Sequence, residues 1–299
     1  MKVLLATQPM PAAPFADAIR SRAPELSLVE YRSALADVDL ADVEILVAWQ
    51  MPPGLPARMP QLRWVCSIAA GVEKLLSADL APHVRVSRIV DTEQAAGIAQ
   101  FVVAMALRHA RALEHYERQQ RERAWLRQPT PMARHRVAVL GTGAMGSEIA
   151  AWLERCGLFV RGWNRRSPES LHALLAASEI VVCALPLTPQ TESILDERAF
   201  AAMPRGAYVI NVARGAHLDE AALIDAVRSG HLSGAALDVQ RREPLPADDP
   251  LWTVPGITIT PHIAAQSSTE TIAEQFVAAA RALAMGEPLP NEVDRARGY

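Results

Sequence analysis

Apolar residues follow two rhythms along this chain. In the N-terminal third, short β-type runs (Val3 to Thr7, Ile45 to Ala48, Trp64 to Ser67) are separated by stretches of helical spacing and by turns such as Pro52-Pro53-Gly54. Strands that alternate with helices in this way predict a parallel sheet. From Gly97 to about Arg127 there is no Pro and no further Gly, and apolar residues recur at helical spacing while Arg, Glu and Gln take over the second half. That pattern predicts one long helix leaving the first lobe. Gln128-Pro129-Thr130-Pro131 breaks it, and a second βα series follows, with strands expected at Val137 to Leu140, Leu158 to Trp163, Glu179 to Leu185, Ala207 to Asn211, Gly234 to Val239 and Ile257 to Thr260. The Ala-rich stretch Ser267 to Met285 predicts a last helix that returns to the first lobe. The expected organisation is therefore residues 1–97 completed by 267–299, and 98–266 as a second doubly wound α/β lobe, with no repeat of solenoid length.

Composition narrows the class. A length of 299 residues, half of them hydrophobic and 21% charged, suits two soluble lobes of about 100–200 residues each. A net charge of -3 supplies no basic field for nucleic acid or for an anionic membrane surface. Arg108, Arg111, Arg118, Arg121 and Arg123 are interleaved with Glu114, Glu117 and Glu122 at helical distances, as on a solvated or subunit-packing face. The longest apolar run, Ala95 to Leu107, includes Gln100 and falls short of the roughly 20 residues that cross a bilayer; the apolar part of Met1 to Thr7 is too short for a signal-peptide core. A cytoplasmic protein is expected. Cys66, Cys156 and Cys183, few and far apart, read as buried small hydrophobes in a reducing compartment, and no metal site is expected.

One segment points to a nucleotide. His135 to Leu140 is a strand, Gly141-Thr142-Gly143-Ala144-Met145-Gly146 a Gly-rich turn, and Ser147 to Arg155 a helix with Ile149, Ala150 and Leu153 on one face. Gly141 permits the turn, Gly143 lets the backbone approach a pyrophosphate, Gly146 allows close helix-strand packing, and the helix N-terminus presents N–H groups to the anion. A dinucleotide that carries nicotinamide is the expected ligand. The end of the next strand selects which one, because an Asp or Glu there binds the adenosine ribose. Here stand Asn164, Arg165, Arg166 and Ser167, so the charge that repels a 2'-phosphate is missing and two guanidinium groups follow that can grip one. NADPH is favoured, with NAD possible; the plain alternative is a pair of solvated loop arginines.

Three further segments lie just beyond strand ends, where open α/β sheets place ligands: Asn211 to Gly215 with Val212, Ala213 and Arg214, Arg242 to Pro246 behind Ala236-Leu237-Asp238-Val239, and Thr260 to Ala264. With His262 as proton carrier, Glu243 can hold the imidazole and Arg214 can clamp a carboxylate. Singly, each has a plain account as a loop residue. Together with Ser67-Ile68-Ala69-Ala70-Gly71-Val72, the glycine turn and Ala184-Leu185-Pro186-Leu187-Thr188, they match a known order of motifs. The chain resembles the D-isomer-specific 2-hydroxyacid dehydrogenase family over nearly its whole length, most of all its NADPH-dependent glyoxylate/hydroxypyruvate reductase branch.

That resemblance implies two Rossmann-like parallel-sheet domains with an active-site cleft between them, and a homodimer through the long helix 98–127. It implies Arg214, Glu243 and His262 as the catalytic group, acting on a small 2-oxo or 2-hydroxy acid, and backbone N–H groups of Ala70, Gly71 and Val72 toward the substrate carboxylate. Asp238 would sit by the nicotinamide carboxamide, with Leu185, Pro186, Leu187, Val212, Ala213 and Ala264 along the cofactor. Trp49 either walls the substrate pocket or belongs to the core, and Trp125 is a candidate to reach a partner subunit. Two other readings remain in view. A corepressor on the same fold uses the dinucleotide as a ligand but adds peptide-binding surfaces and long tails; a dehydrogenase of phosphorylated hydroxy acids needs extra basic residues, and Cys66 to Lys74 offers only Lys74.

Overall fold

The computed structural model describes residues 1–77, 79–127 and 135–295. It divides into two compact units, Met1–Thr92 with Gln266–Tyr299, and Glu93–Ala265. Each is an α/β unit built on one parallel sheet.

In the first unit the strands are β1 (Lys2–Ala6), β2 (Ser27–Glu30), β3 (Val43–Ala48), β4 (Trp64–Ser67) and β5 (Arg85–Ser87), in the order β2-β1-β3-β4-β5, with helices α1 (Ala13–Arg20) and α2 (Asp37–Leu40) between them. Side chains alternate across a strand, so each strand feeds two cores. Val3, Leu5, Ile45, Val47, Trp64 and Cys66 face one layer, whereas Leu4, Leu46, Val65 and Val86 face Leu40, Leu55, Leu62 and Leu75 in the other. The final helix of the chain, numbered α9 below (Thr269–Met285), belongs to the first layer, where Ile272, Phe276, Val277 and Leu283 are buried. Each such side chain stabilises by roughly 1.5–3 kcal/mol relative to exposure, so α9 has an apolar face that must be covered. Trp64 stacks on Phe276 with ring centroids 5.2 Å apart, and its Nε1 donates to Ser87 Oγ at 2.9 Å.

The second unit opens with α3 (Thr92–Ala110) and α4 (Leu113–Arg121). The sheet then runs through β6 (Arg136–Leu140), α5 (Ala144–Arg155), β7 (Phe159–Trp163), α6 (Leu171–Ala176), β8 (Ile180–Cys183), α7 (Glu197–Ala202), β9 (Ala207–Asn211), α8 (Glu220–Arg228), β10 (Leu232–Leu237) and β11 (Ile257–Ile259). The strand order is β11-β10-β9-β8-β6-β7. The winding reverses between β6 and β8, and the carboxyl ends of those two strands are where such a sheet leaves a crevice. No described helix is long and apolar enough to cross a membrane.

Two expectations need correction. The helix predicted from Gly97 to Arg127 begins at Thr92 and is interrupted, because Ala112 takes a left-handed conformation (φ 52°) between α3 and α4, and α4 stops at Arg121. The reason is an ion cluster: the Arg108 guanidinium bridges Glu114 and Glu117, the latter at 2.7 Å. Arg108 and Glu117 are nine residues apart, which an uninterrupted helix would place on opposite faces. The proline break at Gln128 to Pro131 lies outside the described residues. The second correction concerns Cys156, which is exposed whereas Cys66 and Cys183 are buried. It caps the C-terminus of α5 just before Gly157, off the apolar face that Ile149 and Leu153 bury.

At the amino ends of β6 and β9, His109 of α3 stacks on Tyr208 (centroids 4.6 Å apart), with His135 6.2 Å away. Burial, then the neighbouring His135, pushes the His109 imidazole down to about 4. An unfolded chain takes up a proton at the ordinary His value near 6.5, and the folded chain refuses it until about 4, so stability must fall as pH drops through that window. The His109→Phe variant keeps the stack and removes the proton. Between about pH 7.5 and pH 5, urea unfolding should cost the native protein about 2 kcal/mol more than the variant; equal losses would show that His109 does not set the acid limb.

Candidate active site

The site is assembled from loops at the carboxyl ends of the second unit's strands. After β6, Gly141 has φ 107°, and a Cβ there would lie 2.5 Å from Ala184 O. A Cβ on Gly146 would lie 1.8 Å from Gly141 O, so the helix-strand approach excludes every other residue. Gly143 differs: nothing lies within 4 Å of its Cβ position, and it caps a helix whose first turn holds no acid and no side-chain cap. An open backbone before bare helical N–H groups is a cradle for a pyrophosphate, and a dinucleotide fits it.

At the end of β7 the Asn164 side chain is fixed on both sides. Its Nδ2 donates to Thr142 Oγ1 at 2.7 Å and its Oδ1 accepts from Arg166 N at 2.8 Å; Asn164 N donates to Ser167 Oγ at 2.9 Å. The loop is thus shaped by a neutral amide, and the exposed Arg165 and Arg166 are its charges. Arg165 Nη1 donates to Gln190 Oε1 at 3.3 Å. Beyond β8, Thr191 Oγ1 donates to Pro186 O at 2.7 Å and accepts from Thr188 N at 2.8 Å, which folds the Leu185-Pro186-Leu187 segment into a turn.

Beyond β9, buried Asn211 holds the next loop. Its Oδ1 accepts from Ala213 N at 3.1 Å and its Nδ2 donates to Arg214 O at 3.0 Å. Val212 and Ala213 are buried, Arg214 is extended (φ -144°, ψ 148°), and a 3-10 turn follows over Gly215–His217. A Cβ on Gly215 would lie 1.9 Å from the carbonyl carbon of Gln240, so this loop touches the one after β10 at bare backbone.

Beyond β10, Asp238 is 2% exposed. Its Oδ1 accepts from Thr260 Oγ1 at 2.6 Å and Ile263 N at 2.9 Å, its Oδ2 from Ala264 N at 2.9 Å, and its backbone oxygen from His262 N at 2.8 Å. The Thr260–Ala264 loop is therefore wrapped around a carboxylate, with His262 held in the left-handed region at φ 57°. His262 Nδ1 lies 3.1 Å from Glu243 Oε2, and Glu243 Oε1 accepts from Gln240 N at 3.2 Å. Their side chains are 35% and 16% exposed. A carboxylate on Nδ1 orients the ring and leaves Nε2 for proton exchange.

Within the first unit, Ser67 Oγ donates to Gly71 O at 2.8 Å and accepts from Ala69 N at 3.1 Å, closing a loop in which Ala70 and Gly71 are partly exposed and Val72 is buried. Of the two roles expected for Trp49, the core contact is present. It packs against the α9 core layer, and its ring lies 3.7 Å under Lys74 Nζ.

Sequence reasoning singled out Glu243 and His262, which the fold brings together, and Asn164 beside the glycine turn. It gave Asn211, three residues before Arg214, no role, and it missed His217, three residues after, and Thr260 as a ligand of Asp238. Bonds from a side chain to a local backbone carry no periodicity, so only a polar residue in an otherwise buried run marks them.

The chain matches the family model described as D-isomer specific 2-hydroxyacid dehydrogenase, NAD binding domain, over residues 103–264. It is 33% identical to glyoxylate/hydroxypyruvate reductase A of Yersinia enterocolitica, with 94% of each chain covered. Among solved structures it is similar to a D-isomer-specific 2-hydroxyacid dehydrogenase from Xanthobacter autotrophicus in complex with NADPH and MES (38% identity, TM-score 0.89, 100% and 99% of the chains covered). It is also similar to an NADPH-dependent glyoxylate/hydroxypyruvate reductase from Sinorhizobium meliloti in complex with NADP and sulfate (29% identity, TM-score 0.90, 100% and 99% covered).

The wrapping of Asp238 can be tested without substrate. In Asp238→Ala, amide hydrogen exchange at Ile263 and Ala264 should accelerate by about tenfold or more, because charge-assisted bonds each worth about 1.5–3 kcal/mol are lost. Unchanged exchange there would mean that the loop is held by something else.

Proposed function

Because this chain belongs to the D-isomer-specific 2-hydroxyacid dehydrogenase family, we propose that it reduces a small 2-oxo acid of the glyoxylate or hydroxypyruvate kind to the D-2-hydroxy acid, using NADPH. It is an NAD(P)-dependent oxidoreductase. The observation that carries the reading of its chemistry is the His262 and Glu243 pair, 3.1 Å apart on loops of the unit that holds the dinucleotide turn. The names of its relatives agree: the Yersinia protein is a glyoxylate/hydroxypyruvate reductase, and the Xanthobacter structure was obtained with NADPH.

In this reading Gly141, Thr142, Gly143, Ala144, Met145 and Gly146 hold the pyrophosphate, and Asn164, Arg165, Arg166 and Ser167 the adenosine end. Leu185, Pro186, Leu187, Val212, Ala213, Asp238 and Ala264 line the rest. A neutral Asn164 locked in place spares a 2'-phosphate the repulsion of a carboxylate, and two exposed guanidinium groups can bind it; NAD is the weaker ligand. The reduced nicotinamide, when bound, supplies hydride for the 2-carbon. His262, protonated, gives its Nε2 proton to the carbonyl oxygen, while Glu243 on Nδ1 stabilises the charged ring and fixes its orientation. Arg214 takes the substrate carboxylate on two donors and meets the charge that develops on oxygen. Backbone N–H groups of Ala70, Gly71 and Val72 supply further donors for that carboxylate, and Trp49 lies at the substrate.

We read the first unit as the substrate domain and the second as the dinucleotide domain. A homodimer through residues 98–127 is part of the proposal; Trp125, 91% exposed beside exposed Leu126, supports it. The cytoplasm suits free, buried Cys66 and Cys183.

Purified protein at micromolar concentration, assayed by NADPH absorbance against glyoxylate, hydroxypyruvate and pyruvate, should oxidise the cofactor with at least one of them; no turnover with any would remove the reductase reading. Replacing Arg165 and Arg166 together by Ser should raise KM for NADPH by about 10- to 100-fold, from two solvent-exposed hydrogen bonds at roughly 0.7–1.4 kcal/mol each, and KM for NADH far less. An unaltered preference would displace the 2'-phosphate from this loop.

A further inference from the structure

The backbone of Arg214 is gripped from both sides, and its guanidinium Nη1 donates to Ala213 O at 2.6 Å. On one side Asn211 Nδ2 donates to Arg214 O at 3.0 Å. On the other, His217 is completely buried, its own N–H donates to Arg214 O at 3.2 Å, and its ring Nδ1 lies 3.2 Å from Arg214 N and 3.1 Å from Arg214 O. The two ring contacts demand opposite tautomers. Donation to the oxygen needs a proton on Nδ1, and acceptance from the N–H needs a bare lone pair. Arg214 O already accepts from Asn211 Nδ2 and from His217 N, which fills its two lone pairs, so a third donor there has little to gain. At the Nδ1 end of the ring this favours a neutral imidazole whose Nδ1 accepts the Arg214 N–H, with the proton on Nε2.

We propose that His217 is a positioning residue for substrate affinity: it fixes the backbone of Arg214 in the extended conformation from which the guanidinium meets the substrate carboxylate with two parallel bonds. The proposal rests on the role read for Arg214 above. The remainder of the turn is anchored independently, by Leu195 N to His217 O at 3.0 Å, by Ser193 N to Ala216 O at 2.8 Å, and by the contact of Gly215 with Gln240. What the imidazole adds is therefore specific to one N–H, that of the residue with the fork. A fork that grips a planar carboxylate tolerates displacements of only about 0.5 Å. An aliphatic side chain would fill the same buried volume without a polar atom to desolvate, so retaining a ring there has a cost that the bond to Arg214 must offset.

The experiment compares His217→Leu with His217→Asn, whose Oδ1 takes the place of Nδ1, in the full-length protein. For glyoxylate with NADPH, the Leu variant should raise KM by about tenfold while kcat changes less and the Kd for NADPH, read by fluorescence, stays within about twofold; the Asn variant should recover most of the loss. A Leu variant with native KM, or an Asn variant as impaired as Leu, overturns the inference. Nitrogen-15 NMR of histidine side chains in the unmodified protein gives a reading that needs no folded variant. Bare Nδ1 on His217 is expected, and a protonated Nδ1 overturns the clasp. An unmodified protein that turns over no 2-oxo acid overturns the reductase reading and this inference with it, whereas turnover with a KM insensitive to His217 overturns the inference alone.

Discussion

A carboxylate withdrawn from water must be met by donors, and Asp238 is the place where this requirement organises the second unit. It stands directly after β10 and is met by one hydroxyl and two backbone N–H groups of the segment that follows β11. An ionised group at that depth is tolerable only when its oxygens are satisfied. The donors come from Thr260, Ile263 and Ala264, and the residue between them has to go where they leave it. His262 is held in a left-handed conformation that an L residue with a Cβ does not choose on its own. Burying one acid thus sets the position of the His262 backbone, and the ring that it carries meets Glu243 at 3.1 Å.

The same logic recurs at Arg214 with a different partner. There the buried groups are an amide and an imidazole, Asn211 and His217, and the object held is a backbone peptide rather than a loop. In both places a candidate site residue that is partly exposed is supported by a polar side chain that is not. The opposite end of the sheet shows what such groups do without a ligand to serve: His109, Tyr208, Arg108 and Glu114 pack between α3, α4 and the strand starts, where burial lowers one imidazole and raises one carboxyl. Polar burial at that end bears on stability, and at the carboxyl end it fixes the backbone of the loops.

Much of this was legible in the chain. Glycines report backbone constraints directly, so the turn from Gly141 to Gly146 announced its contacts, and the apolar runs announced both sheets. The break at Ala112 was not legible. A left-handed Ala has no propensity signal, and the pairs that stabilise the interruption, Arg108 with Glu114 and Glu117, read equally well as neighbours on one helix. Cys156 was misjudged because cysteine is usually buried, while its place at a helix end decides otherwise. Trp49 stayed undecided since a residue at a strand end can touch core and loop together, as it does. His217 escaped notice because its bonds go to a peptide three residues away.

Gly215 couples parts of the protein that are far apart in sequence. The loop that bears Arg214 and the loop that leads to Glu243 meet main chain to main chain, with no side chain between them as padding. Neither loop can lengthen, shorten or gain bulk at that junction without moving the other. Divergence among descendants of such a chain would therefore be expected to leave this pair of loops alone and to accumulate where side chains rather than main chain meet, so that residues can be exchanged one at a time.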